Sequence, residues 1–207
     1  HVESRESKII ETDLEMLKQA ILELPFELTN AQKKALKDVL DDIQKPYPAS
    51  RLIQGDVGSG KTVVAALATL NVVKKGYQVA IMAPTEILAK QHYATFIKTL
   101  TQYNLNIQFI SGSTTKKMKE DVVRQMKTGT VDVVIGTHSL IQEDIGFRNL
   151  GLAIIDEQHR FGVKQREILK SYNSPHLLSM TATPIPRTLA IVVYGDQDLS
   201  VIDEMPK

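Results

Sequence analysis

The stretch RLIQGDVGSGKTVVAALATL, residues 51–70, decides the fold. Its first residues form a short apolar run that predicts a strand over 52–54, and its last ten begin a helix predicted over 61–74. The segment between them is rich in glycine, which allows an abrupt change of direction of the backbone. The stretch therefore predicts a strand, a tight turn and a helix in immediate succession.

The same succession recurs along the rest of the chain. Further apolar runs predict strands over 79–83, 107–110, 131–135, 152–155 and 177–180. The stretches between them predict helices over 87–100, 116–127 and 163–170. Strands that are apolar at every position indicate a sheet that is buried on both faces. Strands of this kind alternating with helices predict a parallel, doubly wound α/β sheet.

The region before residue 51 predicts two helices and a loop. Residues 5–24 carry apolar side chains three or four positions apart, which predicts one amphipathic helix of about five turns. These side chains are Ile10, Leu14, Leu17, Ile21 and Leu24. Pro25 ends this helix, and Thr29 or Asn30 is predicted to cap a second helix over 31–43. Two prolines predict a loop over 45–48.

The predicted organisation is a connector helix over 1–24 and a single domain over 25–207. The pattern leaves open whether the connector docks on the domain or leads to upstream sequence, and whether part of it is a tag remnant. The chain begins with His1 and not with Met, so we expect it to belong to a longer protein.

Composition excludes several classes of protein. Cysteine is absent, which excludes disulfides, thiolate metal sites and cysteine nucleophiles. No apolar run approaches the ~20 residues needed to span a membrane, and the charged N-terminal segment does not resemble a signal peptide. With 25 Lys+Arg and 24 Asp+Glu, the net charge of +1 provides no general attraction for nucleic acid. Any nucleic-acid binding must therefore come from local sites.

The glycine-rich turn matches the phosphate-binding pattern G-x-x-x-x-G-K-[ST]. It comprises Gly55, Asp56, Val57, Gly58, Ser59, Gly60, Lys61 and Thr62. Its backbone N–H groups and the following helix N-terminus suit phosphate oxygens. Lys61 can reach the β- and γ-phosphates of a nucleotide, and the Thr62 hydroxyl can hold Mg²⁺.

An acidic pair follows the strand predicted over 152–155. Asp156 is predicted to hold Mg²⁺ and Glu157 to polarise an attacking water, because neighbouring strand residues point to opposite sides. Such a pair alone is often a helix cap, and the phosphate-binding turn is what favours chemistry here. Gln158 and His159 follow in the same turn. His159 is not predicted to bind a metal, because no second metal ligand lies three or four residues further along. It is predicted either to hydrogen-bond a γ-phosphate or to be structural.

A third polar segment, SMTATP, follows the strand predicted over 177–180. The hydroxyls of Thr181 and Thr183, on either side of Ala182, are predicted to hydrogen-bond the acidic segment and relay the nucleotide state to another surface. The segment alone is weak support, because threonine and proline are common in turns.

Together these motifs resemble the first motor lobe of superfamily 2 nucleic-acid helicases, and among them the ATP-dependent branched-DNA helicases. The runs that carry the resemblance are 24–32, 54–62, 156–165, 180–189 and 194–200. The resemblance implies a RecA-like P-loop NTPase domain that uses ATP and Mg²⁺ in a helicase or translocase. Such enzymes remodel stalled forks and recombination junctions. Transcription-repair coupling translocases are also similar, but have a second Glu where Gln158 stands.

The resemblance also implies roles for individual residues. Phe26 and Gln32 match the motif that recognises adenine. Other residues match the turns that contact a nucleic-acid strand, and such turns suit phosphates and not bases. These residues are Pro84, Thr85, Glu86, Ser111, Gly112, Thr137 and His138. Arg187 matches the coupling segment of this lobe and is not the arginine finger.

The implied partners are branched or forked DNA and a second motor lobe of the same chain, which supplies the arginine finger. We expect a monomer in the bacterial cytoplasm, associated with the nucleoid and not with a membrane. Two other classes stay open. A small-molecule P-loop kinase needs a basic lid, and no Arg-rich lid is visible. A non-catalytic interaction module has no need for Lys61, Thr62, Asp156 and Glu157 together.

Overall fold

The computed structural model describes residues 6–137, 140, 146–156, 168, 174–182 and 197–206. Five α-helices lie in these ranges: α1 (Leu14–Leu22), α2 (Asn30–Ile43), α3 (Lys61–Lys74), α4 (Glu86–Leu100) and α5 (Lys116–Thr128). The strands are β1 (Ser50–Gly55), β2 (Gln78–Ala83), β3 (Ile107–Ile110), β4 (Val133–Thr137), β5 (Leu150–Asp156), β6 (His176–Thr181) and β7 (Asp198–Ile202). None of the helices described is long and apolar enough to cross a membrane.

The seven described strands form one sheet in the order β3-β4-β2-β5-β6-β1-β7. Every pairing between neighbours is parallel. The predicted parallel α/β sheet is therefore confirmed. Because all these strands run in one direction, their carboxyl ends lie at one edge of the sheet.

Helices cover the sheet on both faces, as the continuous apolar runs predict. Every residue of β2 is buried, and its side chains alternate between two hydrophobic clusters. Val79 and Ile81 pack in the cluster that includes α2, α3 and α4. Ala80 and Met82 pack in the cluster on the other face, with Val122 of α5.

The predicted bounds of most elements are confirmed to within one or two residues, and α3 matches in full. The edge strand β7 was not predicted, because its side chains are alternately exposed and buried and form no continuous apolar run. The helix predicted over 163–170 lies outside the described residues, apart from Ile168.

The first helix is shorter than predicted, since α1 begins only at Leu14. Residues 6–13 form no regular secondary structure, and the backbone N–H groups of Ser7 and Ile10 donate to the carbonyls of Pro46 at 2.9 Å and Ile43 at 2.8 Å. These bonds to the end of α2 and the loop after it replace helical ones. This segment also buries Ile10 completely in the core that contains Leu17 of α1.

His176 at the start of β6 links the segment before α1 to the sheet. Its Nδ1 accepts from the backbone N–H of Ala49 at 3.0 Å, and its Nε2 donates to the carbonyl of Lys8 at 2.7 Å. Burial lowers the pKa of His176. The ring is therefore held as the neutral tautomer with its proton on Nε2.

This arrangement predicts a loss of stability in mild acid. A histidine of the unfolded chain takes up a proton below about pH 6.5, whereas folded His176 resists protonation. Because the unfolded chain then binds more protons, the free energy of unfolding falls as the pH drops below that value. Urea denaturation at pH 7.5 and 5.5 measures this change. His176→Gln should reduce it, and an identical pH dependence in both proteins would contradict the assignment.

Candidate functional site

The sheet order divides the carboxyl edge into two halves. The carboxyl ends of β1, β5 and β6 are neighbours, and in the sequence they are followed by the phosphate-binding motif, the acidic segment and the predicted coupling segment. The carboxyl ends of β2, β3 and β4 are also neighbours, and in the sequence the predicted DNA-contacting residues lie at or after them. The two halves meet between β2 and β5. Crossover connections thus collect motifs that are more than 100 residues apart in sequence.

The phosphate-binding turn needs its glycines for two reasons. Gly58 and Gly60 have φ values of 86° and 84°, a left-handed conformation that other residues avoid. The turn is also tightly packed, because a Cβ on Gly60 would lie 2.0 Å from Nε2 of Gln32. A Cβ on Gly55 would similarly lie 2.5 Å from Oγ of Ser59.

The N-terminus of α3 is unlike those of the other four α-helices described. Each of those has a side chain that accepts from its first turn, whereas Gly60 provides no such cap for α3. In addition, the buried Ser59 Oγ has no hydrogen-bond partner among the described residues. A first helical turn without a side-chain cap, together with the helix dipole, makes this turn suited to an anion.

Lys61 folds back over the turn itself. Its Nζ donates to the carbonyl oxygens of Gly55 at 2.5 Å and Asp56 at 3.2 Å. Hydrogen bonds from an ammonium to a charged phosphate are stronger than those to a neutral carbonyl oxygen. A bound phosphate would therefore compete well with these two carbonyls for Lys61.

Gln32 supports the phosphate-binding turn from α2. Its Oε1 accepts from the backbone N–H of Thr29 at 2.8 Å, and its Nε2 donates to the carbonyl of Ser59 at 3.1 Å. The side chain is completely buried, and together with Thr29 it forms the capping box of α2. Phe26 is exposed, in the segment before α2. Adenine recognition by Phe26 and Gln32 stays a prediction.

The two predicted magnesium ligands are joined through a residue that the sequence analysis missed. His92 of α4 lies with its Nε2 2.6 Å from Oδ2 of Asp156 and its Nδ1 3.3 Å from Oγ1 of Thr62. A sequence signal for His92 exists, because it shares one helical stripe with Ala89 and Phe96, and all three are buried. A histidine in such a stripe needs polar partners.

In the other half of the edge, Glu86 joins two of the predicted DNA-contacting turns. Its carboxylate accepts from Oγ of Ser111 at 3.0 Å and Oγ of Ser113 at 2.6 Å, and these bonds lower the pKa of Glu86. Thr85 caps α4 by accepting from the N–H of Leu88 at 3.2 Å. The turn after β2 is thus tied to the turn after β3.

The remaining predicted residues are described in part. Pro84 is half-buried, Gly112 is exposed, and Thr137 ends β4. Thr181 is buried at the end of β6, next to the half-buried Ala182. Six predicted site residues lie outside the described residues: His138, Glu157, Gln158, His159, Thr183 and Arg187.

The contact between Gly60 and Gln32 predicts the cost of a substitution. Gly60→Ala strains the backbone, because alanine disfavours the left-handed conformation of this position. Its Cβ also clashes with the side chain of Gln32, which is hydrogen-bonded at both ends. Gly76→Ala is a matched control, because Gly76 has a φ of 92° and open space around it. Chemical denaturation should give Gly60→Ala a loss about 1–3 kcal/mol larger than the control. Equal losses would mean that Gln32 moves aside freely.

The DEAD/DEAH box helicase family matches residues 29–192. ATP-dependent DNA helicase RecG of Aquifex aeolicus is 53% identical over 200 residues, which cover 95% of this chain and 25% of the relative. RecG of Thermotoga maritima is 52% identical over 192 residues, 92% of this chain and 25% of the relative. The chain thus spans about a quarter of the length of these relatives.

Solved structures agree with the sequence relatives. A structure of RecG bound to a three-way DNA junction has a TM-score of 0.87 and 45% identity, covering 99% of this chain and 27% of that one. A structure of the helicase MrfA bound to DNA has a TM-score of 0.71 and 20% identity, covering 99% of this chain and 32% of the MrfA chain. At this identity it supports the fold alone. The resemblance to superfamily 2 helicases and the RecA-like fold are confirmed. The chain belongs to the DEAD/DEAH box helicase family, and it is similar to the first motor lobe of the RecG helicases.

Proposed function

We propose that this chain is the ATP-binding lobe of an ATP-dependent helicase or translocase that remodels stalled forks and recombination junctions. The observation that carries the proposal is the divided sheet edge, with an uncapped phosphate-binding turn in one half and hydroxyl-bearing turns in the other. Branched DNA as the substrate is supported by the RecG relatives, one of which is bound to a three-way junction.

In the nucleotide half, the turn from Gly55 to Thr62 holds the phosphates. Lys61 exchanges its carbonyl partners for the β- and γ-phosphates, and Thr62 and Asp156 hold Mg²⁺. A hydroxyl and a carboxylate are the hard oxygen donors that Mg²⁺ prefers, and a magnesium held mainly by phosphates needs few protein ligands. When bound, the ion offsets negative charge on the phosphates. Glu157 polarises the attacking water, while Gln158 and His159 contact the γ-phosphate.

In the DNA half, backbone N–H groups and hydroxyls contact the sugar-phosphate backbone. The turns are those of Pro84, Thr85 and Glu86, of Ser111 and Gly112, and of Thr137 and His138. Glu86 accepts the hydroxyl protons of Ser111 and Ser113 and so fixes the shape of this turn, where backbone N–H groups contact phosphate. Glu86 does not contact phosphate itself, because two anions would repel each other. The segment with Thr181, Ala182, Thr183 and Arg187 transmits the state of the bound nucleotide from the nucleotide half to the DNA half.

A second lobe of the same protein completes the site. It closes over ATP and supplies an arginine finger, a group typically worth about 10³–10⁵ in rate. The present chain alone therefore binds Mg-ATP weakly, hydrolyses it poorly and unwinds nothing. The complete protein acts as a monomer on branched DNA in the bacterial cytoplasm, at the nucleoid.

The proposal is tested by ATP hydrolysis in the longer protein that we propose contains this chain. Turnover is measured without DNA, with linear duplex and with a three-way fork. We expect stimulation by DNA that is largest on the fork, since a branch-directed motor closes on that substrate. Lys61→Ala should abolish turnover on every substrate and is the blank.

Turnover that is the same with and without DNA would contradict the proposal and favour a small-molecule P-loop kinase. Equal stimulation by linear duplex and fork, together with binding to RNA polymerase, would instead favour a transcription-repair coupling translocase.

A further inference from the structure

His92 stands out as the polar member of the buried stripe of α4. The buried residues of this helix are Ala89, His92, Phe96 and Leu100, spaced three or four positions apart. The other three are apolar and pack in or beside the core. An imidazole at this position loses its hydration on folding, and that loss must be offset by hydrogen bonds.

Both ring nitrogens of His92 have partners, and both partners belong to the proposed nucleotide half. Nε2 lies 2.6 Å from Oδ2 of Asp156, and Nδ1 lies 3.3 Å from Oγ1 of Thr62. Asp156 is itself buried at the end of β5. Thr62 lies in the first turn of α3, so one ring bridges α3, α4 and β5.

The donors and acceptors fix how these groups are oriented. A carboxylate only accepts, so the short contact to Asp156 places a proton on Nε2. In this tautomer Nδ1 carries a lone pair, which accepts the hydroxyl proton of Thr62. Both lone pairs of Thr62 Oγ1 are thereby left for another partner, and Oδ1 of Asp156 is left for a further contact.

We propose that His92 is a positioning residue of the magnesium site, which holds Thr62 and Asp156 in the orientation that the ion requires. The inference rests on the proposed nucleotide function, because it treats those two residues as ligands. Groups that orient metal ligands in this way typically contribute about 10- to 100-fold to metal affinity or activity.

The position of His92 on α4 also links the proposed magnesium site to a predicted DNA-contacting turn. The helix begins at Glu86, next to Thr85 in the predicted DNA-contacting turn, and His92 lies less than two turns further along. The same helix thus follows a predicted DNA-contacting turn directly and, less than two turns later, orients the proposed magnesium ligands. The proposed metal site is therefore contacted by α4, a helix that begins in the DNA half of the sheet edge.

The test is the magnesium dependence of nucleotide binding by this chain. A fluorescent, non-hydrolysable ATP analogue is titrated at several free Mg²⁺ concentrations and in EDTA. We expect His92→Phe, which keeps a ring and removes both hydrogen bonds, to raise the Mg²⁺ concentration for half-maximal effect about tenfold or more. Affinity in EDTA should stay within about twofold of the wild type, because the phosphate-binding turn is unchanged.

Two further variants separate positioning from general structure. His92→Gln keeps a donor for Asp156 and loses the bond to Thr62, so its magnesium dependence should be intermediate even if His92→Phe does not fold. His176→Gln changes another buried histidine at the opposite edge of the sheet and should leave the magnesium dependence as in the wild type. Thermal melts of each variant report folding.

The outcomes are distinct. Unchanged magnesium dependence in folded His92→Phe or His92→Gln would overturn the inference. Equal loss of affinity with and without Mg²⁺ would also overturn it, because that result means a structural role only. A wild-type chain that binds no nucleotide in either condition would instead overturn the proposed function, and the inference with it.

Discussion

All seven described strands run in one direction, and the site depends on this constraint. Parallel strands must be connected by crossovers, and the crossovers bring every carboxyl end to one edge. Burial of β2 and β5 on both faces makes that edge rigid, since no side chain of these central strands can move without disturbing the core. The described residues of the phosphate-binding turn and of the turns after β2 and β3 are therefore held between fixed elements.

Residues from three elements, α2, β7 and α4, contact the proposed nucleotide half of the sheet edge. Gln32 supports the phosphate-binding turn from α2, and its amide leaves no space for a Cβ on Gly60. Ile202 of the edge strand β7 packs against Gly55 at the other end of the turn. His92 approaches from α4 and joins Thr62 to Asp156. The geometry of the turn is therefore set before any ligand arrives, which lowers the entropic cost of binding.

The sequence predicts well what local chemistry decides, and less well what tertiary contacts decide. Helix α3 and the glycine turn follow from a motif that leaves the backbone few alternatives. The non-helical segment around Ile10 could not be predicted, because its N–H groups bond to a loop and a helix end more than 30 residues away. His92 was missed because its partners lie on other elements. Edge strand β7 was missed because one of its faces is exposed.

In the proposed function, the turn between Gly55 and Thr62 binds the phosphates of a nucleotide. Two-dimensional amide NMR of this chain, with and without Mg²⁺ and a non-hydrolysable ATP analogue, tests it directly. We expect the largest shift changes at residues 56–62 and at Asp156, with little change near His176 at the opposite edge. Shift changes that leave residues 56–62 unaffected would contradict the account.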